Sequence, residues 1–112
     1  MKINRELLKG STDLLVLNVL EKQNMYGYQM IRELKNKSEN LFEFQEGTLY
    51  PILHKLEEKK FITSYWDEVS NKKRKYYAIT TEGKKYYKIK KEEWKKFSER
   101  VNQIIGGTLF EF

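Results

Sequence analysis

Gln45-Glu46-Gly47-Thr48-Leu49-Tyr50-Pro51-Ile52-Leu53-His54-Lys55-Leu56 is the stretch on which the fold turns. Leu49, Leu53 and Leu56 recur at i, i+4 and i+7, and Ile52 widens the stripe, the pattern of a helix with one buried face. Its other face carries Thr48, Tyr50, Pro51, His54 and Lys55. Pro51 stands about one turn inside, where its missing N–H matters less than at a helix centre, and Gly47 leaves its own carbonyl uncrowded. A loop around Pro51 is the alternative. The leucine period that continues past it favours a helix starting near Gln45 or Glu46 with a tight or slightly kinked first turn.

Upstream, Leu7, Leu8, Leu14, Leu15, Val16, Leu17, Val19 and Leu20 surround much of a helical cylinder, which predicts one central core helix from Arg5 to Gln23. After a break at Gln23-Asn24, the spacing of Met30, Ile31 and Leu34 predicts a short second helix ending near Ser38, and a linker from Glu39 to Phe44 leads to the third. Downstream the period becomes twofold. Ile62, Ser64 and Trp66 alternate with Thr63, Tyr65 and Asp67, and Tyr77 and Ile79 with Tyr76, Ala78 and Thr80. Val69 to Arg74 reads as the polar connection of a hairpin with a cationic tip. Alternation makes Tyr77 a core residue and leaves Tyr76 for the groove side or solvent. Thr80 then supplies an N-cap for a long helix running to about Ile105 and stopping at Gly106-Gly107. Along it Tyr87, Lys90, Trp94, Phe97, Val101 and Ile104 form a heptad-like seam whose one polar member is Lys90. Such a seam needs a partner.

The whole is mainly α with a β-hairpin: residues 1–80 form one unit, 81–107 a C-terminal helix, and 108–112 a tail for which fraying is the default. At 112 residues, 39% hydrophobic and 14% aromatic, the chain fits a single folded domain and not a disordered segment. No apolar run approaches a membrane span and the N-terminus lacks a signal-peptide core, so the cytoplasm is the expected compartment. Without cysteine there is no disulfide, thiolate metal site or cysteine nucleophile, and a lone histidine builds no His-based zinc site, so neither metal nor cofactor is expected. His54 has no catalytic constellation around it; DNA contact and an idle surface position are the two readings of it, and no enzyme is expected.

The net charge of +6 is concentrated: between Ser70 and Lys96, eleven Lys or Arg face three Glu, and the rest of the chain is slightly acidic. A localised positive region points to a polyanionic partner, with a solvated lysine-rich helix face as the bland reading. Three helices followed by a basic hairpin match a helix-turn-helix unit whose third helix enters the major groove, with the hairpin as its wing. Base edges would meet Thr48, Tyr50, Pro51, His54 and Lys55. Lys72, Lys73, Arg74 and Lys75, projecting from the neighbouring loop, would contact phosphates or the minor groove and supply affinity more than sequence choice. Single-strand binding through Tyr76-Tyr77 is the weaker reading.

Tyr26-Gly27-Tyr28-Gln29-Met30-Ile31, then Gly47-Thr48-Leu49-Tyr50-Pro51-Ile52-Leu53-His54-Lys55-Leu56-Glu57, then Arg74-Lys75-Tyr76-Tyr77-Ala78-Ile79-Thr80-Thr81-Glu82-Gly83 resemble, in order, three signature stretches of PadR-type bacterial transcriptional regulators. The resemblance runs from about Leu7 to Ile105. It implies a winged-helix homodimer that represses promoters until a small effector or stress signal releases it, with the C-terminal helix pairing across the dimer. The single helix after the wing is similar to the shorter subfamily. Multidrug-sensing members of that subfamily carry a tryptophan on the last helix after an acidic residue, and Trp94 after Glu92-Glu93 holds that relative place. The resemblance thus implies a slot for a planar aromatic effector at Trp94, with Phe97 and the first helix as walls; simple packing of Trp94 in the dimer seam is the alternative. Dimerisation would use Tyr87, Trp94, Phe97, Val101 and Ile104. Two features depart from the family: Gln45 replaces a small hydroxyl cap, and Lys84 to Lys96 is unusually basic.

These readings converge on a sequence-specific repressor that binds a pseudo-palindromic operator as a homodimer. The rival, from another class, is a basic protein-interaction or anionic-surface module using the final helix.

Overall fold

A computed structural model describes residues 5–106. The expected tail, Thr108 to Phe112, and Gly107 lie outside them. The elements run α1 (Arg5–Lys9), α2 (Thr12–Lys22), β1 (Met25–Tyr26), α3 (Gly27–Lys37), α4 (Glu46–Glu58), β2 (Ile62–Val69), β3 (Lys72–Ile79) and α5 (Thr81–Ile105).

The single helix expected from Arg5 to Gln23 is two, broken at Gly10-Ser11. Both residues are poor in a helix interior, glycine for its backbone freedom and serine for its competing hydrogen bonds. The Ser11 N–H closes a tighter turn on the Leu8 carbonyl at 2.9 Å. Only the second piece carries fully buried residues. Val16, Leu17, Val19 and Leu20 of α2 are at most 1% exposed, whereas Leu7 of α1 is largely in solvent.

Around α2 pack Met30 and Leu34 of α3, Leu49, Leu53 and Leu56 of α4, Phe44 of the linker, and Ile62 and Tyr77 of the sheet. The leucine stripe of α4 is therefore buried as its spacing predicts, and Pro51 lies inside the helix. Gln45 adopts extended backbone at the N-cap and gives no side-chain cap, so the α4 start rests on its backbone carbonyl, which accepts from the Thr48 and Leu49 N–H groups.

The sheet has three strands in the order β1-β3-β2, all antiparallel. β1 escaped the sequence reading because two residues carry no period; Met25 pairs with Tyr77 and Tyr26 with Tyr76. The six-residue connection expected from Val69 to Arg74 is a two-residue turn. Ser70 and Asn71 both have positive φ, 54° and 63°, the pattern of a type I′ turn that matches the twist of the flanking strands. Residues 72–75 consequently belong to β3 and not to a loop.

Thr80 joins wing to final helix. Its hydroxyl accepts from the Gly83 N–H at 3.0 Å and donates to the Lys60 carbonyl at 2.8 Å, while its N–H donates to the Phe61 carbonyl. Gly83 is buried so tightly against the turn leading into β2 that a Cβ there would overlap the Phe61 carbonyl oxygen. From this joint α5 crosses α2, burying Tyr87, then runs on with its later residues mostly exposed to a left-handed cap at Gly106 (φ 76°). The described chain is correspondingly elongated, 59 × 31 × 21 Å.

Candidate nucleic-acid interface

The polar face of α4 is open. Thr48, Tyr50, Pro51, His54 and Lys55 are all exposed, as a helix with one buried leucine stripe requires. They are not equally free. The Tyr50 ring lies over the start of α3, its hydroxyl close above Gly27. His54 Nε2 is 3.4 Å from the Glu58 carboxylate one turn on. The Lys55 ammonium leans towards Asp13 of α2 at 3.9 Å, and the same carboxylate accepts from the Tyr86 hydroxyl of α5 at 3.5 Å. Tyr50, Pro51 and His54 thus form the forward part of the face, with Lys55 turned towards the helix junction.

The hairpin register sorts the cationic run. Residues directly opposite share a face, so Ser64 and Tyr77, Trp66 and Lys75, and Glu68 and Lys73 lie on one side, continuous with the buried base at Ile62 and Met25. Tyr65 and Tyr76, Asp67 and Arg74, and Val69 and Lys72 lie on the other. The four cations expected together therefore divide. Lys73 and Lys75 share the face of Tyr77, while Lys72 and Arg74 start from the opposite face, Arg74 still reaching the edge of the cleft beside α4.

Arg74 is held there. Its guanidinium sits 4.3 Å from the Tyr26 ring centroid and donates to the Tyr26 hydroxyl at 2.8 Å. Tyr26 meets Tyr76 edge-on at 5.5 Å, Tyr76 stacks on Tyr65 at 5.8 Å, and the Asn24 amide donates to the Tyr65 hydroxyl. Tyr76, expected to face groove or solvent, is thus half-buried in an aromatic row on the outer side of the sheet. Between the sheet and the helices lies a cleft of about 420 Å³ bordered by Tyr28, Tyr50, Trp66, Lys73 and Lys75, with Tyr26 and Arg74 also reaching its edge. A second hollow next to it is lined by Tyr50, Pro51, His54, Glu57 and Lys75. Burial, reinforced by the Glu57 carboxylate and by Tyr50, pushes the Tyr77 phenol at the base of this wall above its ordinary range. It is neutral wherever the protein is folded near neutrality.

On α5, Trp94 and Phe97 are 46% and 59% exposed and their rings are 5.6 Å apart, while Ile104 is almost fully exposed and Val101 half-buried. Tyr87, expected in the same seam, is instead 5% exposed inside its own chain, its hydroxyl accepting from the Asn18 amide at 2.7 Å. The α2 helix lies across that turn of α5 and covers it. Lys90 is occupied by Glu93 at 3.2 Å, which with the Tyr86 phenol raises its pKa. Trp94, Phe97, Leu7 and Leu14 border a cleft of about 490 Å³, with Asp13, Tyr86, Lys90 and Glu93 at its polar edge. Leu7 belongs to α1 and Leu14 to α2, so both pieces of the expected first helix stand beside Trp94. Ile89 and Ile105, also exposed on α5, fall outside the expected seam. Among the described residues no group of acidic or histidine side chains could hold a metal ion, and no helix is long and apolar enough to cross a membrane.

Residues 16–89 match the Transcriptional regulator PadR-like family, a span from the core of α2 through the wing into α5. A protein of Lysinibacillus sphaericus is 33% identical over 106 residues, covering 94% of this chain and 97% of its own. A transcriptional regulator from Clostridium thermocellum superposes with a TM-score of 0.83 at 36% identity, over 90% of this chain and 96% of that one. A PadR family transcription regulator from Clostridium difficile gives 0.75 at 36% identity, over 85% and 98%. The mostly helical body, three-stranded winged sheet and long last helix are common to these structures. With its signature stretches on α3, α4 and β3, the chain belongs to the PadR-like family of transcriptional regulators, which are DNA-binding regulators and not enzymes.

Proposed function

We propose that this chain acts as a homodimeric repressor that binds a pseudo-palindromic operator, each subunit presenting α4 to one of two successive major grooves about 34 Å apart. The observation that carries the reading is the shared border: the open face of α4 at Tyr50, Pro51 and His54 and the inward wing lysine Lys75 line one continuous hollow. Thr48 extends the same face towards α1, and Lys55 completes it on the α2 side. Side chains on α4 read base edges. Lys73 and Lys75 take phosphates, with Lys72 on the far face of the wing and Arg74 held on Tyr26 at the cleft's edge.

The exposed Trp94, Phe97 and Ile104, with Val101 beside them, supply the apolar strip through which α5 pairs with its copy. A planar aromatic effector enters between the two Trp94 indoles, and it releases DNA by binding the DNA-incompetent arrangement more tightly. Quenching of tryptophan emission by planar cations, lost in Trp94→Ala, tests that step.

The direct test is binding to duplex DNA flanking the coding region as salt is raised. If each subunit neutralises roughly three to five phosphates, affinity falls by about 10³ to 10⁵ between about 50 and 200 mM. A flat salt response overturns the reading. Flotation with anionic liposomes but no duplex binding would establish the surface-module rival in its place.

A further inference from the structure

Trp66 is the largest side chain whose position the fold leaves unexplained. It stands on β2 opposite Lys75, on the face that Ile62 and Tyr77 bury at the base of the sheet, yet it is 62% exposed because the hairpin has by then left the body. Its neighbours along that face are Lys75 and Lys73, the latter paired with Glu68 one step farther out. Across the cleft stand Tyr28 at the start of α3 and Tyr50 of α4. Whatever lies along α4 therefore runs past the indole. The walls specify the occupant: two ammonium groups at successive positions of one strand face ask for anions at short spacing, and an open indole beside them asks for an apolar flank. A duplex backbone offers both, phosphate oxygens alternating with the C–H face of deoxyribose.

We propose that Trp66 is a DNA-contacting residue, its indole packing on a deoxyribose of the strand whose phosphates Lys73 and Lys75 engage. The inference rests on the DNA-binding reading above and adds to it an uncharged, sequence-indifferent contact. That chemistry gives it a signature distinct from every other member of the interface. Loss of a lysine removes one released counterion and lowers the salt slope by about one, whereas loss of Trp66 weakens binding at every salt concentration by the same factor. Loss of an α4 side chain changes the choice among sequences, whereas loss of Trp66 leaves it intact.

The experiment uses the full chain labelled with 5-fluorotryptophan and a mixed-sequence duplex of two helical turns. The protein has two tryptophans, and the ¹⁹F line missing from Trp66→Phe is that of Trp66. Saturating duplex is expected to shift that line. Trp66→Ala is expected to bind the mixed-sequence duplex and the flanking DNA about tenfold more weakly, with an unchanged salt slope, and Trp66→Phe within about threefold of wild type. Circular dichroism on both variants separates this from misfolding. An unmoved ¹⁹F line, wild-type affinity in Trp66→Ala, or a loss of self-association that accounts for the weaker binding would overturn the proposal. If the wild type binds duplex while Trp66 is indifferent, only this inference falls; if the wild type binds no duplex, the DNA-binding reading falls with it.

Discussion

The Tyr50 hydroxyl lies 2.7 Å from the point where a Cβ on Gly27 would stand, and the ring carbon bearing it lies 3.0 Å away. The first residue of α3 and the foremost aromatic of α4 are thus in mutual contact that only glycine permits. The atom in the way is the tip of a rotatable side chain, so Gly27→Ala is expected to displace Tyr50 and not the helices. Alanine also suits a helix better than glycine, and stability should stay within about 0.5 kcal/mol of wild type. Base discrimination by α4 should nevertheless fall, by about 1 kcal/mol if Tyr50 reads a base. Competition binding against operator variants measures it. Tyr50→Phe on the Gly27→Ala background removes the clashing hydroxyl and should let the ring return. A large drop in melting temperature would show that the glycine is structural.

Arg74 and Lys73, adjacent in sequence, should behave oppositely. Lys73 points into the cleft beside α4, so Lys73→Ala should lower the slope of log affinity against log salt by about one, with little effect on stability. Arg74 is bound to Tyr26 by its ring face and hydroxyl, so Arg74→Ala should cost about 1–2 kcal/mol of stability and leave the salt slope nearly unchanged. Urea unfolding beside salt-dependent binding separates the two. Equal slope losses would mean that Arg74 leaves Tyr26 when DNA arrives.

Gly83→Ala tests the joint between wing and α5. Its Cβ would overlap the Phe61 carbonyl oxygen, a backbone atom that cannot rotate aside, and stand 2.8 Å from Ile79. Either α5 lifts from the Phe61 turn or the Thr80 cap opens. The expected result is a loss of more than about 2 kcal/mol, or a melting temperature lower by about 8 °C or more. Calorimetry at fixed protein concentration checks it.

The readable parts of this chain were those carried by a repeated side-chain pattern. Leu49, Leu53 and Leu56 announce α4 because burial recurs every three or four residues, and Ile62, Tyr77 and Ile79 announce the wing because it recurs every two. Features that depend on one or two residues were hidden: Gly10-Ser11 breaking the first helix, Met25-Tyr26 adding a strand, Ser70-Asn71 closing the hairpin. The two-residue turn redistributes the cations, because a loop lets four basic side chains point together and a strand makes them alternate. Tyr87 fitted the α5 period as well as Trp94 did. Periodicity fixes a face but not what covers it, and only the crossing of α2 shows that one turn is covered within its own chain.

Alkaline pH should weaken the folded state through two tyrosines. Burial raises the Tyr77 and Tyr86 phenols above their ordinary value of 10.0, assisted by Glu57 and Tyr50 for the first and by Asp13 for the second. A group whose folded pKa is raised contributes stability that is fully present below its unfolded pKa and is lost as pH rises through the folded value. Stability from these residues is therefore complete at neutral pH and should decline as pH climbs past about 10. Tyr77→Phe should flatten that decline in a series of urea unfolding curves. An unchanged alkaline limb would place the sensitivity elsewhere.

Tyr87 and Trp94, one heptad apart on α5, should separate folding from assembly. Tyr87→Phe removes the bond from Asn18 but keeps the ring, so it should cost about 1 kcal/mol and leave any self-association intact. Because Lys37 of α3 donates to the same Asn18 at 3.0 Å, the loosened amide also weakens a link from the helix-turn-helix to α5. Trp94 is half-exposed beside Phe97, so Trp94→Glu should leave the monomer folded while raising the dimer dissociation constant by about tenfold or more. Sedimentation against concentration reads the second effect and denaturation the first. If wild type self-associates and Trp94→Glu sediments like it, the contact lies elsewhere on the molecule, and the exposed Ile89 and Ile105 become the residues to substitute next; if both sediment as monomers, the proposed dimer falls.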